Sequence, residues 1–198
     1  MSELYTTAQK MVEKGKGILA ADESTPTCTK RFESINTDST SESRNFYRNM
    51  LFTTKDIEKY ISGIILFDET FHQSELSSGM KFPEYLTSQN ILPGIKVDHG
   101  LEDFSPYEKL TIGLDGLLAR LEKYYELGAR FAKWRAVITP GDSIPTDDCI
   151  LANAKNLAKY AKKCHQANLV PIVEPEVLMD GGHNIDESFD ITSRTLNM

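Results

Sequence analysis

Short and almost wholly apolar runs alternate along this chain with longer stretches in which apolar residues recur every three or four positions. The runs fall at residues 17–22 (GILAAD), 61–67 (ISGIILF), 93–98 (PGIKVD), 130–137 (RFAKWRAV) and 169–176 (LVPIVEPE). Their length and apolar content predict strands buried on both faces. Between them, Leu114, Leu117, Leu118, Leu121 and Tyr125 keep helical spacing, and Gly128 offers a stop. Ile150, Leu151, Ala154, Leu157, Ala158 and Ala161 do the same within residues 147–168. Residues 41–51 and 4–12 are further helix candidates. Strands alternating with helices predict a parallel sheet with helical cover, an α/β fold. Neither GxGxxG nor GxxxxGK[ST] follows any of the runs, which removes the usual nucleotide signature of an open doubly wound sheet.

The charges inside these apolar runs favour the other closure, a barrel. Lys96 and Asp98, Lys133 and Arg135, and Glu174 and Glu176 are each two residues apart. On a strand such pairs point to one face. Taken singly, each pair could be an ordinary strand-end salt bridge. Three of them on successive strands would be costly in a purely structural core, because a buried charge needs a partner. In a parallel barrel, by contrast, the carboxyl ends of the strands form the active-site face. Asp22, ending the first run, fits the same arrangement. Carboxylates and cations gathered there could polarise a carbonyl, move protons and hold a phosphate.

Composition narrows the classes. With 198 residues, 40% of them hydrophobic, the chain can bury one substantial core, and no linker divides it, so a single domain is expected. A net charge of −7 argues against non-specific nucleic-acid binding, though not against a small anion held by a few local cations. No apolar run nears the roughly 18 residues of a membrane span, and MSELYTTAQK lacks the apolar core of a signal peptide. Cys28, Cys149 and Cys164 form no CxxC pair, so neither zinc nor a disulfide framework is expected, and a reducing compartment is the natural setting. His72, His99, His165 and His183 likewise lack metal-ligand spacing; His165 falls on a predicted helix and His183 in a Gly-rich loop. After the first run, Ser24, Thr25 and Thr27 lead into Lys30 and Arg31. Loop amides, hydroxyls and cations there suit a phosphate, although a capped helix followed by a solvated Lys-Arg pair would read the same way.

GKGILAADES, GIKVDHG, GLDGL, FAKWRAV and VPIVEPEVL, in that order, closely resemble the class I fructose-1,6-bisphosphate aldolases. The resemblance covers nearly the whole chain. It implies an eight-stranded (β/α) barrel of which about five β/α units are present, a homotetramer, a cytoplasmic role in glycolysis and gluconeogenesis, and a Schiff-base mechanism needing neither metal nor other cofactor. The implied reaction is reversible cleavage of fructose 1,6-bisphosphate to dihydroxyacetone phosphate and glyceraldehyde 3-phosphate. By position, Asp22, Lys133, Glu174 and Glu176 match catalytic residues, with Glu174 the principal acid–base group. Ser24, Thr27, Lys30, Arg31, Arg44, Lys96, Asp98 and Arg135 match substrate-binding positions. His99 stands where lysine is usual, Asp68 where histidine is common, and Thr27 replaces a frequent serine. The family's covalent lysine, in a motif like LLKPNM on a sixth strand, has no counterpart here. The chain is therefore expected to be part of a barrel, inactive alone. Strand position would permit Lys96 or Lys133 as the covalent residue, but the resemblance makes both binding or electrostatic groups. Two other readings stand beside this one: a transaldolase-like or other Schiff-base sugar-phosphate lyase, and an aldolase-like chain serving as a non-enzymatic interaction module.

Overall fold

The computed structural model describes residues 2–198. In chain order its elements are α1 (Glu3–Met11), β1 (Gly17–Ala21), α2 (Thr25–Glu33), α3 (Ser41–Phe52), β2 (Ile61–Leu66), α4 (Asp68–His72), α5 (Phe82–Ser88), β3 (Leu92–Lys96), β4 (Leu101–Ser105), β5 (Glu108–Thr111), α6 (Leu117–Glu126), β6 (Phe131–Ile138), α7 (Asp147–Gln166), β7 (Val170–Val177) and α8 (Ile185–Asn197). Five strands form one sheet in the order β1-β2-β3-β6-β7, and every neighbouring pair is parallel. Each apolar run predicted as a strand is one of these five. The result is an α/β half-barrel sheet, with β1 and β7 at its two edges.

Alternation along the strands divides the apolar residues into two cores. Toward the helices, Ile64, Leu66, Ile95, Ala132, Trp134 and Ala136 are buried in a cluster that includes Leu121 of α6 and Leu157, Tyr160 and Cys164 of α7. Trp134, between two cations in sequence, turns this way and packs on Tyr160 with ring centroids 5.5 Å apart. Toward the concave side, Ile65, Leu92 and Phe131 join Met11 of α1, with Ile18, Val170 and Ile172 packed against them. Apart from Ile65, this second cluster draws on the first residues of the strands. A floor of side chains therefore lies beneath the charged residues that follow on the same face.

Phe131 sets the spacing of that floor. A Cβ at Gly94 would lie 2.2 Å from its ring, and one at Gly63 would lie 2.9 Å from it. Glycine is required at both positions because the Phe131 ring fills the volume their side chains would take.

Local signals explain the helices that carry the sheet. Thr146 caps α7 by accepting from the Cys149 amide at 3.2 Å, and Asp147 and Asp148 occupy its first turn, where the helix dipole favours negative charge. The β4–β5 hairpin, inserted after β3, is antiparallel and has no counterpart among the predicted elements. Buried Glu108 fastens it, accepting from the Thr146 amide at 2.7 Å and from the Thr146 hydroxyl at 3.0 Å. The α4, α5 and α8 helices are likewise additional. Strand β3 ends at Lys96, so Asp98 lies in the loop beyond the strand.

Candidate active site

At the carboxyl ends of the five strands the concave face opens into a cleft. Its walls include Asp22, Ser24, Thr27, Arg31, Lys96, Asp98, Lys133, Arg135, Glu174 and Glu176. Ten of the twelve residues selected from sequence therefore meet in one place. The other two do not. Lys30 points to solvent in the last turn of α2, where a cation suits the helix dipole. Arg44 is engaged elsewhere, giving Nε and Nη2 to the two carboxylate oxygens of Glu69 at 2.7 and 2.6 Å.

Lys133 is the centre of the arrangement. Its Nζ lies 3.1 Å from Asp22 Oδ2 and 3.3 Å from Glu174 Oε2, and its side chain is 9% exposed. Burial alone would depress its pKa, but the two carboxylates outweigh burial and hold it above the usual lysine value. Glu174 shifts upward as well. Burial is the first cause, and the charges of Glu176 and Asp22 add to it against the opposing pull of Lys133. A carboxyl held above its ordinary value beside a fixed cation is suited to taking and returning a proton.

Further ion pairs surround this centre. Arg135 pairs with Glu176, and Lys96 pairs with Asp98 at 2.5 Å. On the opposite wall Ser24 caps the start of α2 without a side-chain cap bond, and its hydroxyl meets that of Thr27 at 3.1 Å. Arg31 reaches the cleft while paired to Glu23, whose carboxylate also lies 3.0 Å from Arg48 Nη1 and accepts from the Tyr47 hydroxyl at 3.2 Å. Hydroxyls and a guanidinium beside a helix N-terminus make this wall suited to an anion.

Sequence reasoning missed a third wall. Asp68, His72, His99, Arg120, Lys123 and Tyr124 also line the cleft. Asp68 accepts from the Tyr124 hydroxyl, and its carboxylate lies 3.5 Å from His72 Nε2. Burial first, then the Arg120 charge, lowers the pKa of His99. Asp68 and His99 carried a signal as departures from the family pattern, and in the folded chain Arg120 is a cation in the first turn of α6, where the helix dipole disfavours one. Among the described residues no group of three or more His, Cys, Asp or Glu is placed to hold a metal ion, and no helix is long and apolar enough to cross a membrane.

Parallel strands with helices on one side, an apolar floor, and ion pairs gathered at the strands' carboxyl ends define a protein of the (β/α)-barrel class with its site at the usual end. The comparisons with known proteins make this specific. The family model described as fructose-bisphosphate aldolase class-I matches residues 3–198. A probable fructose-bisphosphate aldolase class 1 from Xanthomonas axonopodis pv. citri is 53% identical over 99% of this chain, which spans 59% of that protein. Fructose-bisphosphate aldolase 1 of Toxoplasma gondii is 52% identical over 98% of this chain, covering 54% of that protein. A solved structure of fructose-bisphosphate aldolase from Plasmodium falciparum, in complex with TRAP and a small-molecule inhibitor, superposes with a TM-score of 0.94. It is 51% identical, over 98% of this chain and 57% of that one. The chain belongs to the class I fructose-bisphosphate aldolase family. It spans somewhat over half the length of these relatives.

Proposed function

We propose that the native protein is a lyase that cleaves fructose 1,6-bisphosphate reversibly through a Schiff base, and that these residues supply its acid–base and phosphate-holding parts. The observation that carries the reading is the triad of Asp22, Lys133 and Glu174, in which a buried lysine lies between a buried aspartate and a half-buried glutamate. In the reaction a lysine amine adds to the C2 ketone and water leaves, giving an iminium that can accept an electron pair. Glu174 then takes the proton of the C4 hydroxyl. The C3–C4 bond breaks, its electron pair passes toward the iminium as an enamine, and C4 leaves as an aldehyde. Reprotonation of C3 by the same carboxyl and hydrolysis complete the cycle. Lys133, held above the usual lysine value, stays charged and, with Asp22 beside it, fixes the polarity around the reacting carbons. By family position Lys96 and Ser24 face the phosphate distal to the ketone, with Thr27 in the phosphate loop and Arg31 near the substrate phosphates.

The family resemblance puts the covalent lysine on a strand outside residues 1–198, and carries with it a homotetramer and a cytoplasmic place in glycolysis. Incubation of the native protein with dihydroxyacetone phosphate, followed by borohydride reduction and peptide mass mapping, tests the central point. The adduct is expected on a lysine outside these residues. An adduct on Lys133 or Lys96 would overturn the assignment of roles, and the absence of any adduct would remove the Schiff-base mechanism.

A further inference from the structure

The loop that follows Lys96, the last residue of β3, brings Asp98, His99 and Gly100 to the cleft, yet it belongs to no strand or helix. Its backbone is held from three directions. Strand β6 holds its start, where the Val97 amide donates to the Lys133 carbonyl at 3.1 Å. The hairpin holds its end, where the His99 amide donates to Ile112 at 2.8 Å and the Ile112 amide donates to Gly100 at 3.0 Å. The third hold is a side chain. Arg120 donates Nη1 to the Val97 carbonyl at 3.1 Å and Nη2 to the Gly113 carbonyl at 2.6 Å. Its two bonds go to backbone carbonyls rather than to a carboxylate, and its buried Nε has no hydrogen-bond partner among the described residues.

The Val97 carbonyl lies between the two members of the Lys96–Asp98 pair. Gly113, the other anchor, follows the hairpin with φ +126°, and a Cβ there would lie 2.9 Å from the His99 nitrogen. Arg120 thus ties the segments on either side of the hairpin to one guanidinium, whose planar fork can span two acceptors as a lysine ammonium cannot. Within the loop, Asp98 completes the brace, accepting from Lys96 Nζ at 2.5 Å and from the Gly100 amide at 3.2 Å.

We propose that Arg120 is a positioning residue, which clamps the two ends of the β4–β5 insertion so that Lys96 and Asp98 are held at the phosphate end of the cleft. The inference rests on the sugar-phosphate reading of that cleft for its kinetic consequence, but not for the clamp itself. Loss of the fork lets the 97–100 segment drift, so Lys96 meets its phosphate less well, while Lys133 and Glu174 on β6 and β7 keep their geometry.

The test compares Arg120→Lys, which keeps the charge, with Arg120→Met, which keeps the bulk, both in the native protein. With fructose 1,6-bisphosphate as substrate, KM is expected to rise about tenfold in both variants with kcat within about twofold, the scale of one charge-assisted hydrogen bond. Backbone hydrogen exchange read by mass spectrometry should quicken over residues 97–113 in both and stay unchanged over residues 131–138. A wild-type KM in Arg120→Lys would overturn the clamp in favour of charge alone. Unchanged exchange over 97–113 would overturn it outright, as would a fall in kcat at constant KM. If the unsubstituted protein fails to cleave fructose 1,6-bisphosphate, the functional reading falls, and the exchange measurement still decides the clamp.

Discussion

Arg135 and Glu174 stand opposite each other in the register of β6 and β7, yet they are not ion-paired. Glu174 pairs with Lys133, two residues nearer the floor, and Arg135 pairs with Glu176, two residues nearer the opening. Both pairs run diagonally across the strands with the same slant. The slant separates the two cations: Lys133 of the inner pair is buried beside Asp22, and Arg135 of the outer pair is more than a third exposed at the rim.

The inner pair should respond to neutralisation in activity far more than in stability. Glu174→Gln in the native protein should lower kcat on the order of a hundredfold or more, with little change in KM. The stability effect follows from the upward shift of this carboxyl. A group with a raised folded pKa contributes stability below its unfolded value and loses it as pH rises through the folded value. Wild-type Glu174 therefore weakens the fold near neutrality, and glutamine does not. Thermal melts at pH 7 should place the variant at or above wild type, with the difference vanishing near pH 4. A drop of several degrees at pH 7, or an unchanged kcat, would refute the assignment.

Glu75, which is not among the residues lining the cleft, predicts the opposite pH dependence. Its carboxylate accepts from the Ser78 hydroxyl and from the Ser77 and Ser78 amides at 2.6 to 2.8 Å. These bonds, the Ser78 hydroxyl first, hold its pKa down at about 2. Its contribution is thus present above the unfolded value and lost as pH falls from about 4.5 toward 2. Glu75→Gln should cost roughly 2 kcal/mol at pH 7, and the gap to wild type should close on acidification, as read by urea titration at several pH values. A gap independent of pH would mean that packing, not charge, is what the residue supplies.

The shared volume at Gly63, Gly94 and Phe131 can be tested by a double-mutant cycle. Gly94→Ala alone should destabilise by about 2 kcal/mol or more, because the added methyl meets a buried ring with no free space. Phe131→Leu alone should also destabilise, by leaving a void. Together they should cost less than the sum of the two, by about 1 kcal/mol. Strict additivity in chemical denaturation would show that the ring moves aside freely.

The five strands were legible because each is buried on both faces and so is written as a continuous apolar run. The charged pairs on β6 and β7 were legible for a related reason: two residues apart on a strand is one direction in space, whereas Asp98 meets Lys96 from the loop beyond β3. The hairpin was not. Residues Leu101 to Phe104 are exposed and β5 is short, so neither alternation nor apolar density marks it. Helix α8 did carry a readable start, the Asn184–Glu187 capping box, which a search guided by strands passes over. Lys30 was selected as a cation after the first strand, and both Lys30 and Arg44 by resemblance to the family's basic positions near the substrate phosphates. Only the tertiary structure reveals that Glu69 faces Arg44 and that solvent faces Lys30. Arg120 escaped for the converse reason, since its partners are backbone carbonyls, which have no identity in a sequence.

Trp134 sits between Lys133 and Arg135, turned away from the cleft, wholly buried and close to Tyr160. It is the single tryptophan of these 198 residues. The strand bearing the central cations therefore carries its own chromophore, one residue from each of them and shielded from water. Its emission reports on the backbone that aims the site rather than on the periphery, and can follow that strand without any attached label.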